Sequence, residues 1–238
     1  MNSRLRRIVN LIVDENTREK VIEIVENPQI HIGGTIYDGL SLDTSPAGIS
    51  HHHSYPGGFL DHTVASAEIA LTLCDVVSKV YRGKVNRDLA LAGTILHDIF
   101  KPLSYKREAK GYSITALGDR IDHSTLITAE LIRRELPLDL IHIVCAHHGG
   151  QAGSMWPRTV EALICHLADQ ADSQLNGEVL RAARYLSRAT VGEELDFMTS
   201  EEAFEIVNSK TVEGWAAVSE AVEGIKQRRS GKTTTSES

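Results

Sequence analysis

The sequence predicts an all-α protein, and three observations carry that prediction. Helical periodicity runs through most of the 238 residues, with apolar side chains recurring three and four positions apart. Capping and breaking residues punctuate it where helices should start and stop. One central segment, Leu89 to Leu96, has no charged residue at all, as expected of a helix surrounded by others.

Taken in order, Leu5, Ile8, Val9, Ile12 and Val13 mark a first amphipathic helix. Val21, Ile22, Ile24 and Val25 mark a second that stops before Pro28. From Gln29 to Gly58 the pattern breaks into Gly, Pro, Ser and Asp, which reads as a long loop or small β-excursion of the kind that often carries function. Helical spacing resumes from Leu60 to Tyr81, with Leu60, Val64, Ala67, Leu71 and Cys74 on one stripe and Ile69, Leu73, Val76 and Val80 beside it. Asn86 caps the next helix, Leu89 to His97. Lys101 to Arg120 reads as a loop. Three helices follow: Asp122 to Glu135, Leu138 to His148 ending at Gly149-Gly150, and Thr159 to Tyr185 after Pro157. Weaker patterns cover Ser200 to Ser209 and Val212 to Gln227. There is no internal repeat and no persuasive linker. Residues 1–50 are therefore expected to pack as helices and loop on one core at 51–227, and the apolar-free tail 228–238 to be disordered.

With 42% apolar and 24% charged residues, the chain supports one sizeable domain and is no disulfide scaffold or disordered polymer. A net charge of −7 argues against a nucleic-acid coat, which needs a cationic face, and suits a small phosphorylated substrate better. Cys74, Cys145 and Cys165 form no close-spaced pair and read as small buried hydrophobes. The N-terminus lacks an apolar signal segment, and no window approaches the roughly 18 apolar residues of a membrane span. A cytoplasmic protein without a membrane partner is expected; a homo-oligomer is compatible with the composition.

What stands out is histidine, with 11 in the chain, several inside apolar runs. His97-Asp98 ends the charge-free helix, so an imidazole and a carboxylate emerge together from the least solvated element. Alone, the pair reads equally as a C-terminal dipole partner and a turn cap. His62 shares a face with Ile69, Leu73 and Val80 and so points inward. Asp169 falls on a stripe with Ala162, Cys165 and His166, and a buried carboxylate is costly unless paired or metal-bound. His147 and His148 end another apolar helix, and His123 opens the one before it. Inward His and Asp residues from separate central helices are what a metal cluster at the centre of a helical bundle requires.

The ordered pattern His62, His97-Asp98, Asp169 resembles the signature of the HD-domain metal-dependent phosphohydrolases. The segment HDIFK at 97–101 is similar to that family's HD-I-G-K, with Phe100 in place of the glycine and Lys101 retained. HHSYPGGFLDHT, His52 to Thr63, resembles a segment of a bacterial 3′-to-5′ exoribonuclease family, as do CAHHGG and LADQAD later on. The likeness covers residues 50–185. The chain's size and helix-rich start also resemble the archaeal HD phosphodiesterases that open dihydroneopterin 2′,3′-cyclic phosphate.

The resemblance implies an HD-domain helical bundle acting as a phosphohydrolase or phosphodiesterase through metal-activated water. Alternatives on the same scaffold are a di-iron oxygenase, a 3′–5′ exonuclease-like enzyme, and a metal-stabilised binding module. The exoribonuclease relatives carry a nucleic-acid-binding module for which no sequence is visible, so nucleic acid is not the expected partner. His62, His97, Asp98 and Asp169 are assigned to a first divalent transition metal, with Asp98 bridging to a second held by His123 and His147, His148 competing. Nitrogen and carboxylate donors suit iron, manganese, nickel or zinc. Lys101 is expected to hold a phosphate oxygen, or else to be a solvated loop cation. His52 and His53 are expected to reach the substrate or protonate its leaving oxygen, or else to be exposed loop residues. Asp172 is read as an orienting carboxylate and Asp61 as surface or capping. His51 is read as a bystander, and His31, His142 and His166 as core or surface histidines.

Overall fold

The computed structural model describes residues 1–152 and 155–233. Helix α1 (Ser3–Val9) is capped by Asn2, whose side chain accepts from the Arg4 N–H, and α2 (Glu15–Glu26) by Asp14, which accepts from Thr17. The segment expected as loop or β-excursion begins with a short hairpin, β1 (Ile30–Ile32) and β2 (Thr35–Tyr37), paired antiparallel with Ile30 opposite Tyr37. Gly33 and Gly34 form its two-residue turn at φ 57° and 81°, values that glycine adopts without strain.

Helices α3 (Gly58–Lys79) and α4 (Arg87–Leu96) form the centre. Every residue of α4 from Ala90 to Leu96 is buried, and Asn86 caps it by accepting from the Leu89 N–H. After α4 come the short α5 (Lys101–Ser104), the antiparallel strands β3 (Tyr105–Glu108) and β4 (Gly111–Ile114), then α6 (His123–Arg133), α7 (Leu138–Ala146) and the turn-like α8 (Gly149–Ala152). The long α9 (Val160–Val191) crosses the whole assembly, followed by α10 (Ser200–Glu213) and α11 (Trp215–Thr233).

Helices α3, α4, α7 and α9 pack around one another, and α6 lies against α7. The approach of α4 to α7 depends on Gly93, where an added Cβ would sit 2.2 Å from Ile143 Cγ2. A main core joins Leu5, Ile8 and Ile24 of the first helices to Phe59, Leu91, Ile95, Phe100 and Leu126. A second core lies between the C-terminal half of α9 and helices α10 and α11, with Leu180, Ala183, Ile206, Val218 and Val222, and Tyr55 inserted into it. No helix among the described residues is long and apolar enough to cross a membrane.

Four expectations need correction. Lys101 to Arg120 is not plain loop: it holds α5 and the β3–β4 hairpin, with Tyr105 opposite Ile114. Its strands are four residues long and half-exposed, too short to register as alternation. Helix α9 runs six residues past Tyr185, to a left-handed Gly192 cap, because Leu186 and Ser187 still bury. Helix α11 continues through Arg228 to Thr233, where the composition predicts disorder. Arg229 anchors it, donating to both Glu202 oxygens at 2.7 and 2.5 Å; residues 234–238 lie outside the described residues. Cys145 is only half-buried, with Sγ 3.1 Å from the Thr128 hydroxyl, whereas Cys74 and Cys165 are buried as expected.

Candidate metal centre

Five elements deliver ionisable side chains to one point. His62 comes from the first turns of α3, His97 caps the C-terminus of α4 with Asp98 after it, His123 opens α6, His147 ends α7, and Asp169 sits in the third turn of α9. His62, His97 and His147 are fully buried, Asp98 is 1% exposed and Asp169 8%. His62 is buried although two of the side chains used to orient it, Ile69 and Leu73, are only half-buried and the third, Val80, is exposed. The buried face of α3 is broader than that stripe.

Hydrogen bonds fix which ring nitrogens face the cluster. His97 Nδ1 donates to the Thr94 carbonyl at 2.7 Å, and His147 Nδ1 to the Val144 carbonyl at 2.6 Å. His62 Nδ1 donates to Asp172 Oδ2 at 2.7 Å. With each Nδ1 carrying the proton, each Nε2 is free to face inward. His62 Nε2 lies 3.2 Å from His97 Nε2, 3.2 Å from Asp98 Oδ2 and 3.4 Å from Asp169 Oδ1. His97 Nε2 lies 3.3 and 3.7 Å from the same two oxygens. Donors about 2.0–2.2 Å from one cation sit roughly 3.0–3.5 Å apart, so these four atoms fit a single ion.

The other Asp98 oxygen faces a second group. Oδ1 is 3.0 Å from His123 Nε2 and 3.6 Å from His147 Nε2, and His148 completes a set of possible ligands there. Both Asp98 oxygens and the Nε2 atoms of His123 and His147 are buried with no hydrogen-bond partner among the described residues. Unsatisfied buried polar atoms cost about 1–3 kcal/mol each, and Asp98 Oδ1 with the His123 and His147 Nε2 atoms, three converging on one point, fits a divalent cation as the missing partner; Oδ2 faces the first set and Lys101.

The electrostatics agree. Burial alone would raise the Asp98 carboxyl, but His97 and Lys101 hold it well below the usual range. Asp169 is held low likewise, against burial, by its hydrogen bond and charge interaction with His97. Burial would push His97 and His62 down; the carboxylates beside them raise both. A divalent ion held among these groups would compete with protons for the same nitrogens and oxygens. Burial and then His97 push His147 well below its ordinary value, which keeps it neutral.

Lys101 is not a solvated loop cation. It is 7% exposed and its Nζ lies 2.5 Å from Asp98 Oδ2. His52 is half-buried beside the cluster, its ring centroid 5.2 Å from that of His62 and its Nδ1 buried without a hydrogen-bond partner. His53 departs from expectation: it is 3% exposed, with Nε2 2.8 Å from Asp172 Oδ2 and Nδ1 2.9 Å from the Tyr55 hydroxyl, so neither nitrogen is left for a substrate. Asp172 takes the orienting position expected of it. Asp61 does more than cap, accepting from Tyr55 at 2.8 Å and Arg4 at 2.6 Å. His148 Nδ1 faces the Ser124 hydroxyl at 3.4 Å. His51 is exposed, and His142 accepts from the Arg158 N–H at 2.9 Å, away from the cluster.

His166 shares the sequence reading of His31 and His142, yet its Nδ1 donates to the His147 carbonyl at 2.5 Å and so braces the end of α7. Asn176 escapes the sequence reading: it continues the stripe of Asp169 and Asp172 and is 4% exposed. That spacing is a signal that could find it. Tyr55, 1% exposed, carries no periodic signal because it lies outside any helix.

An HD-domain family profile matches residues 59–174. The chain is 41% identical over 185 residues to a dihydroneopterin 2′,3′-cyclic phosphate phosphodiesterase of Methanocaldococcus jannaschii, covering 78% of this chain and 74% of that one. It is 35% identical over 141 residues to the 3′-5′ exoribonuclease YhaM of Listeria innocua, covering 55% of this chain but only 43% of the exoribonuclease. The Bacillus subtilis YhaM is 32% identical over 144 residues, with the same coverage. No solved structure gives a significant match. The matched span holds the converging histidines and carboxylates, and on both grounds the chain belongs to the HD-domain family of metal-dependent phosphohydrolases.

Proposed function

We propose that the protein hydrolyses a small cyclic phosphodiester of pterin or nucleotide type at a centre built for two divalent transition-metal ions. One observation carries the reading: the two oxygens of a single buried carboxylate, Asp98, face two separate sets of histidine Nε2 atoms. His62, His97, Asp98 and Asp169 would hold one ion; Asp98, His123 and His147 would hold the other. His147 is favoured over His148 because its Nε2 is buried and unpartnered while its Nδ1 is already committed. Histidine and carboxylate donors favour iron, manganese, nickel or zinc over magnesium or calcium.

Bound there, the ions supply Lewis-acid stabilisation of phosphate oxygens and a water made nucleophilic near neutral pH. The chain's own residues do the rest. Asp172 and the Thr94 and Val144 carbonyls hold three imidazoles in the tautomer that presents Nε2. Lys101 sits against Asp98 as a buried cation that can neutralise a phosphate oxygen as a point charge. His52, with Nδ1 free, can hydrogen-bond the substrate at the edge of the cluster. The cyclic phosphate is supported by the archaeal relative, whose name states that substrate and three-quarters of which this chain covers. The net charge of −7 also suits a small anion held locally better than a long polyanion.

The test is to purify the protein anaerobically, measure its metal content, and assay it against 2′,3′-cyclic phosphates, 3′,5′-cyclic nucleotides, phosphomonoesters and an RNA oligonucleotide. Opening of a 2′,3′-cyclic phosphate, abolished by chelation and restored by Mn²⁺ or Fe²⁺, is expected. Shortening of RNA without cyclic phosphate hydrolysis would replace this reading with a nuclease, and substrate-dependent oxygen consumption with an oxygenase.

A further inference from the structure

We propose that Tyr55 and Ser200 are positioning residues for the metal centre, holding His62 in place through His53 and Asp172 and so coupling it to the C-terminal helices. The proposal rests on the reading of His62 as a ligand. It deepens that reading by adding residues that reach the cluster only through others.

The chain of contacts is continuous. Asp172 Oδ2 accepts from His62 Nδ1 at 2.7 Å and from His53 Nε2 at 2.8 Å, so one oxygen orients both rings. His53 Nδ1 is 2.9 Å from the Tyr55 hydroxyl, and the His53 backbone N–H donates to Asn176 Oδ1 at 2.6 Å. The Tyr55 hydroxyl also hydrogen-bonds Ser200, the first residue of α10, and donates to Asp61 Oδ2 at 2.8 Å. Asn176 Nδ2 donates to Ser200 Oγ at 2.6 Å. His53, Tyr55, Ser200 and Asn176 thus form a closed ring of polar contacts, joined to Asp172 through His53.

Two features show that the ring is held in place. His53 has a left-handed backbone, φ 44°, which a non-glycine residue keeps only where its surroundings over-determine it. Its carbonyl accepts from the Ala47 N–H at 3.1 Å and lies where Gly58 alone leaves room, since a Cβ there would come within 2.1 Å of that oxygen. Tyr55, in turn, is a member of the second core with Leu180, Val218 and Val222. The ligand His62 belongs to the main bundle, and this ring ties it to α10 and α11.

A carboxylate that orients a ligating histidine typically contributes 10–100-fold in metal affinity, and Tyr55 and Ser200, which act on Asp172 through His53, are expected at or below the lower end of that range. The full chain, stripped of metal, would be titrated with Co²⁺ alone and followed by calorimetry and by the visible absorption band, which reports ligand geometry. Tyr55→Phe and Ser200→Ala should each weaken Co²⁺ binding by up to about tenfold and shift the band. Ser200→Thr, which keeps the hydroxyl, should restore both, and Ser209→Ala, which deletes a hydroxyl elsewhere on α10, should change neither. If Tyr55→Phe and Ser200→Ala bind Co²⁺ as the wild type does and only lower the melting temperature, the ring is structural and the proposal is overturned. Should Tyr55→Phe fail to fold, the Ser200 pair decides alone. A wild-type chain that binds no Co²⁺ would instead overturn the metal-centre reading, and this proposal with it.

Discussion

Helix α6 carries two buried polar sites that differ in one respect. At its N-terminus His123 turns Nε2 toward Asp98 Oδ1, and neither that nitrogen nor that oxygen has a hydrogen-bond partner among the described residues, while Lys101 pairs with the other oxygen. Seven positions on, Glu130 is 2% exposed and fully engaged: Oε1 accepts from Arg133 and Arg134 at 2.6 Å each, and Oε2 from Arg133 at 2.7 Å. Arg134 also reaches Glu23 at 3.0 Å. Both carboxylates are buried, so burial does not distinguish them. Satisfaction does. The Glu130 carboxylate is complete within the protein, whereas Asp98, paired to Lys101 through Oδ2, still turns Oδ1 toward nitrogens that nothing among the described residues satisfies and is complete only with something added.

Asp98→Ala should break the comparison most severely, abolishing turnover and lowering bound metal while circular dichroism shows helicity nearly unchanged. Full activity in that variant would remove Asp98 from the chemistry altogether. Next in size, His123→Ala or His147→Ala should reduce two metals per chain to about one and cut the rate on the order of a hundredfold or more, as lost electrostatic stabilisation of the transition state does. Metal analysis of wild type and both variants, alongside rates, separates this from a helix-end role. One metal throughout with unchanged rates would leave a mononuclear enzyme.

Glu130→Ala should do the reverse, costing about 1–3 kcal/mol in urea unfolding by removing the buried acceptor of Arg134, which keeps only Glu23, and of the exposed Arg133, with kcat of the folded protein unchanged. A loss of bound metal there would mean that the two sites are not independent. Lys101→Ala should raise KM or lower the rate about tenfold, roughly the loss of one charge-assisted contact, while metal content holds. Metal falling as far as in Asp98→Ala would reassign Lys101 to the centre itself.

The smallest effect concerns pH. Burial would raise the Glu130 carboxyl, but Arg133 and Arg134 hold it below its ordinary value. A carboxyl depressed in the folded state contributes stability that is fully present above its unfolded pKa, about 4.3, and is lost as pH falls through the lower folded value. The stability gap between wild type and Glu130→Gln should therefore shrink once pH falls below about 4. A gap that persists unchanged into acid would mean the arginines do not favour the ionised form.

Much of the fold and of the centre is legible in the order of residues alone. The central helix is readable because seven consecutive residues, Ala90 to Leu96, are buried, which leaves no polar side to confuse the pattern. Asp169 is readable because its stripe on α9 includes Ala162 and Cys165, both fully buried. The β3–β4 hairpin is not, since four-residue strands with exposed charged side chains carry too little alternation to be seen. His53 reads wrongly as a substrate contact because its sequence neighbourhood looks like an accessible loop. Only its partners Asp172 and Asn176, 119 and 123 positions away, reveal that it is locked inside.

By itself, then, the sequence determined where most of the helices lie and which histidines and aspartates emerge at buried helix ends. Both follow from local spacing, because side-chain direction in a helix repeats every few residues. Only the tertiary structure decided that Asp98 divides its two oxygens between two sets of nitrogens, that Asp172 orients His62, and that Glu130 is a finished ion pair. Those outcomes depend on distances of a few ångströms between groups from different helices. Such distances are set by how cores pack, including the close approach at Gly93, and not by position along the chain.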